Sequence, residues 1–280
     1  MGLRIDRLAT LYVADPIRRC IPSGEASIPI LMYHSIADED EAGVHPYYRT
    51  TTSPSVFARH MKHLSDHGYS TVNVAEAVQL LQNGSPQKKC AVITFDDGYA
   101  DFYRHAFPTL SLYHFSATVF VPTAYVGAQP IRFKGKDCLT WNEIRELRNH
   151  GIYFGSHTVT HPQLSSLDVS AVKSEIVNSK QALEENMGER VDCFAYPYAF
   201  PEEKASFVRM LRDTLMDAGY QQGVSTRIGT ARPREDCYFL PRLPMNSLDD
   251  MALFEAKLQG GYDWLYSVQY ASKRIRARVV

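Results

Sequence analysis

Short apolar, β-branched runs recur along the chain at residues 28–32, 91–95, 117–121, 152–154 and 193–196. Brief and continuous in their hydrophobicity, they read as buried strands. Between them the pattern changes to helical spacing. Ser53-Pro54 has the form of an N-cap followed by proline at the first helical position, Phe57, Met61 and Leu64 make an apolar stripe, and Gly68 ends it. Thr140-x-x-Glu143 is a capping box that opens a helix carrying Trp141, Ile144 and Leu147 inward and stopping at Gly151. Residues 168–187 and 206–219 predict two further helices. Strand and helix therefore alternate, which predicts an α/β fold with a parallel sheet, and the number of units fits a (β/α) barrel in a single domain better than an open sheet. In such barrels the active site lies on loops at the carboxyl ends of the strands.

Composition narrows the function classes. With 280 residues, 45% of them hydrophobic and 22% charged, the chain is an ordinary globular sequence. Thirty basic residues against 31 acidic ones leave a formal charge of −1, so no global field favours nucleic acid. The five cysteines are widely spaced without a C-x-x-C pair, which suggests neither a disulfide framework nor a thiolate zinc site. Arg4, Asp6, Arg7, Asp15 and Pro16 interrupt the N-terminus, so it reads as neither signal peptide nor membrane span, and a cytoplasmic location is expected. Ile5, Leu8, Leu11 and Tyr12 at helical spacing, and the basic run from Lys273 to Arg278, leave room for weak contact with an anionic membrane surface, although solvated ends are the simpler reading. The expected organisation is an extension over residues 1–26, a catalytic domain over 27–258 and a C-terminal helix with a basic tail over 259–280.

Two motifs carry candidate chemistry. Val92-Ile93-Thr94-Phe95-Asp96-Asp97-Gly98-Tyr99 ends a buried strand in adjacent carboxylates whose side chains point in different directions, so one can bind a cation while its neighbour stays free as a base. His157-Thr158-Val159-Thr160-His161 follows another strand, and a single tight turn there would bring both imidazoles to one side, with Pro162 limiting any helix beyond. Alone, each has a bland alternative, a solvated acidic turn or capped surface histidines. Together, one carboxylate and two imidazoles leave an open coordination position of the kind catalytic zinc uses.

Thr94-Phe95-Asp96-Asp97-Gly98 and His157-Thr158-x-x-His161 resemble the first two signature motifs of the polysaccharide deacetylases, the NodB-homology or carbohydrate esterase family 4 enzymes. Phe194-Ala195-Tyr196-Pro197-Tyr198 resembles the third motif, and Leu139-Thr140-Trp141 the fourth, and the resemblance spans about residues 28–244. The resemblance implies a distorted barrel of about seven units that removes N-acetyl groups from an exopolysaccharide, peptidoglycan or chitin-like chain. It implies a divalent metal, usually zinc, on Asp97, His157 and His161, with Asp96 as general base on its water. The backbone N–H of Tyr198 would stabilise the oxyanion, beside Pro197, and Trp141 would wall the acetyl pocket. Tyr47 and Tyr48 could stack on sugar rings.

Three positions depart from the pattern. Ala195 stands where many members have an arginine that steadies the catalytic carboxylate, and Arg242 in Leu240-Pro241-Arg242-Leu243-Pro244 is the candidate replacement. Ala199 replaces the usual glycine after Tyr198. No histidine follows His161, so the general acid of the usual fifth motif must come from elsewhere. Met32-Tyr33-His34-Ser35 resembles the N-terminal Tyr-His element of the poly-N-acetylglucosamine deacetylase branch, making His34 the candidate acid, kept protonated by a neighbouring carboxylate. The competing readings are a carbohydrate-binding pseudoenzyme and a hydrolase of a small amide or an O-acetyl ester on the same fold.

Overall fold

The structure, a computed structural model, describes residues 4–20, 26–84 and 89–279. Seven parallel strands form a closed barrel: β1 (Ile30–Tyr33), β2 (Cys90–Phe95), β3 (Ala117–Val121), β4 (Ile152–Ser156), β5 (Cys193–Ala195), β6 (Gln222–Ile228) and β7 (Leu240–Pro244). Neighbours follow chain order, and β1 closes the ring by pairing with β2 through Leu31↔Ile93 and with β7 through Leu31↔Leu243. The barrel is distorted at β6–β7, where the register shifts between Val224 and Ile228.

Alternate strand residues fall into two separate apolar clusters, as expected of strands covered on both faces. Ile30, Val92, Phe120, Ala195, Val224 and Leu240 pack together in the lumen. Leu31, Ile93, Val119, Phe154, Phe194 and Leu243 face outward, against the helices. Those helices begin where local chemistry says they should. In α1 (Pro54–Asp66) the Ser53 hydroxyl accepts from the Val56 N–H, and Phe57, Met61 and Leu64 are buried. In α2 (Trp141–Arg148) both halves of the Thr140/Glu143 capping box are present. In α3 (Val169–Met187) Asp168 caps the start and Gly188 closes the end in the left-handed conformation.

The ends of the chain pack on the barrel. Helical turns over Ile5–Ala9, Thr10–Ala14 and Asp15–Cys20 meet the C-terminal helix α4 (Trp264–Val279). Trp264 Nε1 donates to Thr10 Oγ1 at 3.0 Å, and the Tyr262 hydroxyl donates to Asp6 at 2.6 Å. Arg4 and Arg7 pair with Asp249 and Asp250, so these N-terminal arginines have acidic partners within the protein. Lys273 pairs with Glu202, while the side chains of Arg276 and Arg278 lie outside the described residues. Among the described residues no helix is long and apolar enough to cross a membrane.

Candidate active site

Strand β2 ends at Phe95 and delivers Asp96 and Asp97, both buried, to the carboxyl end of the barrel. The two side chains diverge because Asp97 turns into the left-handed region at φ 69°, followed by Gly98 at 61°. Glycine is required at the second position on two grounds, since its φ is positive and a Cβ there would sit 2.6 Å from Val121 Cγ1. Asp96 points inward and meets Arg242 from β7 in a bidentate pair, with both N···O distances 2.7 Å. The guanidinium is fully buried and further fixed by the Ser225 carbonyl at 2.9 Å and the Thr94 hydroxyl at 3.2 Å. Burial pushes the Asp96 carboxyl up, but the Arg242 charge, aided by His157, outweighs it and holds the group below the usual carboxylate value.

His157 and His161 flank a single tight corner, as their spacing suggested, and its backbone is not helical. Thr158 and His161 both adopt positive φ, at 69° and 57°. Glu175, projecting from α3, makes this affordable by accepting from the Val159 and Thr160 N–H groups and the Thr160 hydroxyl, while the Thr158 hydroxyl accepts from the His161 N–H. Asp97, Lys134, Thr158, His161 and Tyr198 are five of the seven non-glycine residues with positive φ among the described residues. Strain therefore gathers around one site, the usual sign that geometry there is held against local preference.

The donor set fits a divalent metal. The Asp97 Oδ1 atom lies 3.2 Å from His161 Nε2 and 3.8 Å from His157 Nε2. Ligands held at about 2.0–2.1 Å by a tetrahedral ion stand roughly 3.3 Å apart. His157 Nδ1 is 2.8 Å from the Ala195 carbonyl, which can only accept, so that nitrogen carries the proton and Nε2 turns its lone pair to Asp97. Burial also pushes His157 down to about 4, against the pull of Asp96, keeping it neutral. Asp97 Oδ1 is buried without a hydrogen-bond partner, while Oδ2 accepts from Tyr99 at 2.9 Å and Lys134 at 3.2 Å. A buried carboxylate oxygen without a hydrogen-bond partner, beside the two imidazole nitrogens, is a donor set that suits a cation.

These groups open into a cleft of about 420 Å³, bounded also by His34, Tyr47, Tyr48, Tyr198 and, from α4, Gln269 and Lys273. Half-exposed Tyr198, at φ 59°, sets its ring 4.7 Å from that of His161. Pro197 is buried behind it. Trp141 is not among the residues bounding the cleft. As the first residue of α2 it packs instead against the outer core, with its backbone N–H donated to the Gly127 carbonyl. His34 bounds the cleft, but the expectation of a carboxylate-protonated imidazole reverses: burial lowers its pKa more than Asp96 and Asp97 raise it, and Arg242 and Lys134 add to the lowering. Sequence patterns assign no role to Tyr99, which ends the first motif, or to Lys134, for which the local signal is the Lys134-Gly135 turn pair.

The polysaccharide deacetylase family model matches residues 83–222. YxkH of Bacillus subtilis is 35% identical over 222 residues, covering 78% of this chain and 71% of that protein. A poly-beta-1,6-N-acetyl-D-glucosamine N-deacetylase of Staphylococcus epidermidis is 26% identical over 67% of this chain and 65% of its own length. Among solved structures, the Streptococcus pyogenes deacetylase PplD in complex with acetate superposes with a TM-score of 0.73 at 26% identity, over 84% of this chain and 99% of that one. Motifs, barrel and relatives agree, and the chain belongs to the polysaccharide deacetylases, hydrolases built on this seven-stranded barrel.

Proposed function

We propose that this chain removes N-acetyl groups from an amino-sugar polysaccharide or its precursor, with a divalent metal held by Asp97, His157 and His161. The observation that carries the reading is the bare Asp97 Oδ1 between two histidines, beside a second carboxylate clamped by a buried arginine. The name of the Staphylococcus epidermidis relative favours a poly-N-acetylglucosamine-type substrate. The aromatic wall of Tyr47 and Tyr48, with ring centroids 4.9 Å apart, suits sugar rings.

A bound dication, zinc by the family resemblance, would polarise the acetyl carbonyl and lower the pKa of water towards about 7. Asp96 then takes the proton of the attacking water. Its low pKa makes it a weak base, but Arg242 keeps it ionised and fixed, so the carboxylate form is available throughout the neutral range. The Tyr198 backbone N–H, at a corner of strained geometry, stabilises the developing oxyanion. His34 gives a proton to the leaving sugar nitrogen. Its lowered pKa makes the imidazolium a stronger acid, formed during turnover with the proton that Asp96 takes from the attacking water and not stored beforehand.

Acetate release from N-acetylglucosamine oligomers, peptidoglycan fragments and acetyl esters, with and without chelator, tests the reading. Asp97→Ala, His157→Ala and His161→Ala should each lose metal and activity in parallel, as elemental analysis and an acetate assay would report. Activity that survives complete metal removal sinks the mechanism.

His34→Ala should slow amide hydrolysis by roughly a hundredfold while sparing metal content, because an amide nitrogen departs poorly as an anion. An activated phenyl acetate needs no proton on its leaving atom and should change far less. Equal losses on the two substrates would reject His34 as the acid and leave it a positioning role.

A further inference from the structure

We infer that Lys134, together with Tyr99, restricts Asp97 to a single free oxygen and so acts as a positioning residue that sets how the metal is coordinated. This rests on the metal reading above and concerns residues that the family motifs do not include. The two oxygens of Asp97 have opposite surroundings. Oδ2 accepts from the Tyr99 hydroxyl at 2.9 Å and from Lys134 Nζ at 3.2 Å, whereas Oδ1 is buried, bare and turned to both histidines. A carboxylate held in this way offers one ligand atom, which preserves the open positions that water and substrate need.

The lysine is built into place. It stands at the tip of a two-residue hairpin between the short strands Arg132–Phe133 and Lys136–Asp137. Lys134 and Gly135 both have positive φ, 48° and 83°, the conformation that a tight hairpin with correctly twisted strands demands. The base of the hairpin is bonded to the turn that carries Asp97, through Ala100 N–H to the Asp137 carbonyl and Leu139 N–H to the Gly98 carbonyl. Buried Phe133 stacks on Tyr125 at 4.3 Å, and the Lys134 ammonium lies 4.6 Å from the Phe133 ring and 5.5 Å from that of Tyr198. Hairpin, lysine and carboxylate are thus held in one register, which a lysine that only met passing substrate would not need.

Two consequences separate this role from substrate contact or general support. Removing the ammonium leaves Oδ2 with the Tyr99 hydroxyl as its one remaining donor and lets it turn towards the metal, which raises the coordination number. It also removes a cation that repels the dication. Purified protein reconstituted with Co²⁺ reports both, through its visible absorption and through competition with a chelator. Lys134→Met should bind Co²⁺ about tenfold more tightly, the scale of one partly screened charge. Its absorption should weaken towards that of a higher-coordinate ion, and kcat on N-acetylglucosamine oligomers should fall with KM nearly constant. Lys134→Arg, which keeps the charge and the donors, should retain the wild-type spectrum. Should Lys134→Met fail to fold, Tyr99→Phe serves, with a spectral change in the same direction and no gain in affinity. An unchanged spectrum and affinity with a raised KM would make Lys134 a substrate contact and overturn the inference, as would loss of metal in Lys134→Met. Wild-type protein that binds no Co²⁺ would instead defeat the metal reading itself.

Discussion

Asp96→Asn is expected to keep its metal and lose acetate release by about two to four orders of magnitude, the range associated with removing a general base. The separation follows from how β2 distributes its two carboxylates. Asp97 Oδ1 faces His161 and His157, whereas the Asp96 oxygens are both committed to Arg242, and the nearer of them is still 4.0 Å from His157 Nε2. An amide at position 96 removes no ligand atom. It does place an NH₂ group against the Arg242 guanidinium, donor against donor, so some stability is lost as well, and a melting curve at the assay temperature is needed beside the acetate assay. Elemental analysis decides the matter: should the metal leave along with activity, the division of labour between the two aspartates is wrong.

The parts of the fold and site that were legible in the sequence are those with local causes. Capping boxes and N-caps fix helix starts through bonds between residues three apart, so α1, α2 and α3 begin where Ser53, Thr140 and Asp168 predict. Strands buried on both faces announce themselves as apolar runs. Strand β6 does not, because Gln222-Gly223-Val224-Ser225-Thr226-Arg227 is polar, and its hydroxyls are satisfied inside the fold, Ser225 by the Phe239 and Leu240 carbonyls and Thr226 by the Tyr198 carbonyl. The shape of the His157–His161 corner was equally hidden, since the group that holds it, Glu175, comes from the following helix.

Roles set by neighbours distant in sequence were harder to read than residue identities. The four metal-site and base candidates stand together as their motifs implied, yet the protonation of His34 came out in the opposite sense, because motif spacing carries no information about burial. Trp141 illustrates the same limit. A tryptophan beside a capping box is compatible with a pocket wall or a core contact, and here the register of α2 turns it towards the outer core. Lys134 belongs to a hairpin of two-residue strands, too short for any hydrophobic period to reveal.

Arg242→Met should lower stability at neutral pH by about 3–5 kcal/mol, the scale for breaking a buried ion pair from one side. The guanidinium is fully buried, 2.7 Å from each Asp96 oxygen, so its loss leaves a carboxylate in the barrel with no compensating charge. The sign of the pH dependence follows. In the wild type the Asp96 carboxyl is held below its ordinary value, so the stability it contributes is present above the unfolded carboxylate value and is lost as pH falls through the lower folded value. In the variant, burial loses its main opponent, with only His157 and His34 still acting against it, and raises the same carboxyl, so the deficit should be largest near neutrality and shrink on acidification as Asp96 protonates. Activity should follow a matching course, with the acidic limb of the pH–rate profile moving upward because the base is lost at higher pH. Lys at the position restores charge without the two parallel donors and should recover only part of either effect. Denaturant unfolding at several pH values together with the rate profile measures both. A variant as stable as wild type, with its acidic limb unmoved, would mean that Arg242 only fills space inside the barrel and that the Asp96 carboxylate is kept ionised by something else.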